Sequence, residues 1–71
     1  MKRMQLIFEL EKHGVPSSYY SIKGEREDRV CIDEEGGKWI VYYIERGEKT
    51  IYDKFNTEDE ACEFMLKKLT G

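Results

Sequence analysis

The chain has 71 residues, 15 acidic against 12 basic, a net charge of −3, and 13% aromatic side chains. That length makes one domain near the lower limit for a single core, burying only about 60% of its unfolded surface. The acidic excess argues against non-specific nucleic-acid binding, which needs a basic footprint, and the aromatic content argues against disorder.

Residues 2–13 carry Met4, Ile7 and Leu10 at helical spacing, flanked by Leu6, with Lys2, Arg3, Glu9 and Lys12 on the wet side. Glu9 and Glu11 interrupt the apolar stretch and no small-residue cleavage site follows, so it reads as a structured helix rather than a signal peptide. Gly14, Val15 and Pro16 supply the C′ glycine, the apolar contact and the stop. Residues 17–22 read as irregular or as a short strand, and the charged run 23–29 as an exposed loop.

Three strands follow, at 29–35, 38–45 and 48–55. Gly36-Gly37 is a two-residue hairpin turn, since both central positions of a type I′ turn need positive φ. Glu45-Arg46-Gly47 fits a three-residue loop with glycine alone in the left-handed conformation. Thr57 and Glu60 form a capping box before a helix at 58–69, striped by Ala61, Phe64, Met65 and Leu69. The expected architecture is a single α+β domain over 1–71. Its order is α-β-β-β-α, a three-stranded antiparallel meander with both helices on one sheet face.

These turns set the register. Ile32 falls opposite Val41, Val30 opposite Tyr43 and Glu34 opposite Trp39; the three-residue loop then pairs Val41 with Ile51 and Tyr43 with Lys49. One face collects Val30, Ile32, Trp39, Val41, Tyr43, Ile51 and Phe55, and the helices should cover it. The other carries Ile40, Tyr42, Ile44 and Tyr52 within a rim of Asp33, Glu35, Glu45 and Asp53. Two readings of that second face compete. Either the first helix or the segment 19–22 folds over it, or it is an exposed protein-binding patch. A one-residue slip in the second hairpin would carry Ile51 and Phe55 onto it.

Catalytic chemistry has little to draw on. The single histidine, His13, sits at a helix C-terminus, where it suits the dipole. Asp33, Glu34 and Glu35 read as a solvating hairpin end rather than an acid–base pair. No catalytic residue, metal ligand or cofactor motif is assigned. Cys31 and Cys62 lie far apart and read as two reduced thiols in or near a core. No segment approaches the ~20 apolar residues of a membrane span, so the chain is placed in the cytoplasm.

With these elements placed, the stretch from Trp39 to Leu69 gains meaning. Trp39 opens the central strand, Tyr42-Tyr43 follow, then the Glu45-Arg46-Gly47 turn, then Phe55 before an acidic helix start containing Glu60-Ala61-Cys62-Glu63. His13-Gly14-Val15-Pro16 and Tyr20-Ser21-Ile22 precede them in similar order and spacing. The pattern spans nearly the whole chain and resembles the small bacterial immunity proteins of polymorphic toxin systems, the Immunity protein 59 group. The resemblance implies a cognate toxin as partner, a nuclease or another basic enzyme acting on nucleic acid, held by stoichiometric protein–protein contact. The alternatives are a homo-oligomer pairing the same face, such as a homodimer, and, less favoured, a single-strand nucleic-acid binder.

Overall fold

The computed structural model describes residues 1–71. Helix α1 (Arg3–Lys12) starts without a side-chain cap from Lys2. An N–H that would otherwise lack a partner, that of Arg3, donates instead to Glu58 Oε2 of the second helix at 2.9 Å. At the other end Val15 N–H donates to the Leu10 carbonyl at 2.9 Å, closing the helix as a Schellman motif. Leu6 and Leu10, one turn apart, are fully buried and Ile7 partly so, whereas Met4 is 78% exposed and does not join the stripe expected of it.

A 3₁₀ turn (Ser17–Tyr19) leads into β1 (Tyr20–Ser21), a two-residue strand parallel to β2 (Val30–Glu35). The meander continues with β3 (Lys38–Glu45) and β4 (Glu48–Phe55), in sheet order β1-β2-β3-β4. The α+β class therefore stands: the three-stranded meander gains a fourth, parallel edge strand from the segment 17–22, which the sequence left open between irregular and strand. Helix α2 (Glu58–Thr70) is capped as its sequence suggests: Glu60 N–H donates to Thr57 Oγ1 at 3.2 Å.

Both helices lie on one sheet face. Leu6, Leu10, Ala61, Cys62 and Met65 pack with Tyr20, Val30, Ile32 and Val41 in one cluster of nine buried residues. Each large apolar side chain there contributes about 1.5–3 kcal/mol by leaving water. Around it pack Trp39, Tyr43, Phe55, Phe64 and Leu69, with the Phe55 and Phe64 rings 5.3 Å apart.

The first hairpin has the register expected, Ile32 with Val41 and Val30 with Tyr43. The second does not. Arg46 takes positive φ (53°) together with Gly47 (77°), so the turn has two residues rather than three. Tyr42 then faces Ile51 and Tyr43 faces Thr50, which puts Ile51 on the face away from the helices. A bulge between Val41 and Tyr42 absorbs one extra residue of β4 and returns Phe55 opposite Trp39. It also leaves Tyr52 on the helix side, where Lys68 Nζ sits 4.1 Å from its ring centroid.

Candidate functional site

The face away from the helices is not an open patch. Cys31, Ile40, Tyr42 and Ile44 form a second cluster, each no more than 2% exposed. The cover comes from the loop 22–29, rather than from α1 or the segment 19–22. Ser21 Oγ starts it by donating to the Gly24 carbonyl at 2.8 Å. Along its length, the Cys31 thiol faces the Arg26 and Arg29 carbonyls at 3.7 and 3.4 Å, and Asp28 N–H donates to the Ile44 carbonyl at 2.7 Å. At its far end the Glu27 carboxylate accepts from Gly47 N–H at 3.1 Å and so ties the loop to the β3–β4 turn.

Charged side chains finish the cover. Lys49 Nζ lies 4.6 Å from the Tyr42 ring centroid, between Glu25 at 3.8 Å and Glu35 at 3.6 Å. The Tyr42 hydroxyl donates to Asp33 Oδ2 at 2.8 Å. Burial, then this bond and the Asp33 charge, push the phenol well above its ordinary value, so it stays a neutral donor.

Of the eight residues expected to touch a partner, three are therefore corrected: Ile40, Tyr42 and Ile44 are core. The other five remain accessible, Asp33 partly and Glu35, Glu45, Tyr52 and Asp53 openly. They are no longer one patch. Asp33 and Glu35 stay on the loop side with Tyr42 and Lys49, whereas Tyr52 sits by α2 and Glu45 by the β3–β4 turn.

What the sequence reading missed is the edge. β4 is the outer strand, and all eight of its residues are exposed except Phe55, which is partly buried. Because Glu45 and Glu48 close a two-residue turn as a bonded pair, the backbone groups of Lys49 and Ile51 point outward. Farther along, the Lys54 N–H is taken by Asp53 Oδ1 at 2.8 Å. The open stretch is thus Glu48–Tyr52, carrying Ile51 (41% exposed) and Tyr52 (37%) among Glu45, Glu48 and Asp53. An alternation that showed Ile51 inside could not have revealed it.

His13 Nδ1 lies 2.8 Å from the Glu9 carbonyl oxygen at the end of α1. Cys31 and Cys62 are free, buried and in different clusters. Burial raises both thiols, and with Glu58 beside it Cys62 is pushed up to about 11. No group of three or more His, Cys, Asp or Glu side chains is arranged to hold a metal ion. No helix is long and apolar enough to cross a membrane. A scan against protein-family models finds no match, and neither do comparisons with curated proteins and with solved structures.

Proposed function

We propose that this chain is an immunity-type protein that binds a cognate bacterial toxin in the cytoplasm and neutralises it by stoichiometric contact, without catalysis of its own. The observation that carries the reading is β4: an unpaired edge presenting Ile51 and Tyr52, bordered by Glu45, Glu48 and Asp53. Aromatic and aliphatic anchors inside a charged rim are what protein interfaces use, and an exposed edge can take a partner's strand. The edge itself alternates acids with Lys49 and Lys54, but the chain's net charge of −3 favours a basic partner such as a nuclease, whose capture charge attraction would speed.

The interface proposed is accordingly the edge and its turn, in place of the buried Ile40, Tyr42 and Ile44. Co-expression with the toxin-like product of an adjacent reading frame should restore growth and yield a one-to-one complex. Substituting Ile51→Lys, at an exposed site, should weaken that complex by about 1–2 kcal/mol or more. Growth arrest unrelieved by the wild-type chain would end the reading.

A second reading, a homodimer, has one specific observation behind it. Antiparallel pairing of two β4 edges about Ile51 would set that exposed side chain against its own copy on the axis, on the same face of the joined sheet. Sedimentation at micromolar concentration decides it, since a monomer there removes the dimer.

A further inference from the structure

Three hollows open on the surface, and their charges differ. One is lined by Phe64, Lys67, Lys68 and Gly71, and another includes Lys2, Arg3 and Lys23. The third, of about 250 Å³, has no cation in its wall: it is lined by Tyr19, Asp28, Val30, Tyr43 and Leu69. It lies where the end of α2, the 3₁₀ turn and the start of β2 meet. We infer that this groove is an anchor point for an arginine side chain of the bound partner, held between the tyrosines with its guanidinium on Asp28.

The wall supplies each part that a guanidinium needs. Tyr19 stands 58% exposed and Tyr43 is partly buried, offering aromatic surface above an apolar floor of Val30 and Leu69. A planar guanidinium stacks on such rings and meets a carboxylate through two parallel N–H bonds. This protein already places cations on aromatic faces elsewhere, with Arg3 4.9 Å from the Trp39 ring centroid and Lys68 4.1 Å from that of Tyr52.

Acidic side chains also stand near Tyr43. Burial raises the Tyr43 phenol, and the negative charges of Asp28, Glu45 and Glu27 push it the same way. Asp28 itself adopts φ of 58°, a conformation uncommon for a residue with a side chain. Its N–H is bound to the Ile44 carbonyl at 2.7 Å, which pins that backbone in place. The hollow is smaller than the roughly 300–1,000 Å³ of a drug-sized ligand site, and one long side chain suits it better.

The inference rests on the reading of this chain as a protein-binding module, and it is tested without the partner. Titrating ¹⁵N-labelled protein with N-acetyl-arginine methylamide should give saturable shifts at the amides of Tyr19, Asp28, Val30 and Tyr43. Asp28→Asn, which tolerates the same positive φ, should weaken that binding about fivefold, as should Tyr19→Ala at its exposed site. The matching citrulline amide, of similar shape but uncharged, should give no saturable response. Absence of saturation, equal binding of the citrulline probe, or an unaltered response in both variants would overturn the assignment. A toxin that binds wild type and both variants equally would also overturn it while leaving the proposed function intact.

Discussion

Arg46 holds φ of 53°, and that one angle decides which way much of β4 faces. A residue with a β-carbon loses about 1 kcal/mol or more in the left-handed region, so composition pointed to Gly47 alone. The sequence therefore reads as a three-residue loop, and Ile51 as core. The cost should be recoverable: Arg46→Gly keeps the two-residue turn and relieves the strain. We expect a gain of about 0.5–1 kcal/mol in denaturant unfolding, against the entropy that glycine adds to the unfolded chain. A loss would mean that the arginine side chain makes a stabilising contact. By contrast Gly36-Gly37 was legible because both positive angles fall on glycine, and the register it sets is the one found.

Among the elements, the helices meet through charge as well as packing. Glu58 accepts from the Arg3 N–H at 2.9 Å and from its guanidinium Nε at 3.1 Å. Burial alone would raise this carboxyl, but the two bonds and the charges of Arg3 and Lys2 outweigh it and hold it below its ordinary value. A carboxylate lowered on folding stabilises above its unfolded value, about 4.3, and that stability is lost as pH falls through the lower folded value. Glu58→Gln should cost about 1–2 kcal/mol at pH 7 and flatten the decline of stability below about pH 4.3. An unchanged acid limb would refute the assignment. The loop 22–29 makes a separate prediction, because it is held over Cys31 by scattered hydrogen bonds whereas Cys62 belongs to α2 and is packed in the main core cluster. Local opening should let an uncharged thiol reagent reach Cys31 faster than Cys62 at neutral pH. Equal rates would show that loop and core open together. This loop is what sequence could least reveal: its charged residues read as solvated, yet its backbone and carboxylates do the covering.

At the scale of the whole molecule, a chain of this size covers both faces of its sheet, one with helices and one with a loop. Period and turn chemistry made the α+β class, both long helices and the first hairpin legible. They could not place the long-range closure of the second face, so the expected contact patch was split between core and surface. Its charged members kept their exposure because solvation of carboxylates needs no tertiary information, while Ile40, Tyr42 and Ile44 depended on what lay above them. The bulge in β4 has a further consequence for how this gene tolerates change. One residue of the strand is surplus to the pairing, since Ile51 and Asp53 are aligned with the consecutive residues Tyr42 and Val41. Removing the codon for Tyr52 would regularise the hairpin while keeping Ile51 opposite Tyr42 and Phe55 opposite Trp39. A deletion scan read out by protease resistance should therefore find position 52 forgiving. Losing one codon from Trp39–Tyr43 of β3, where every residue is paired on both sides, should unfold the protein.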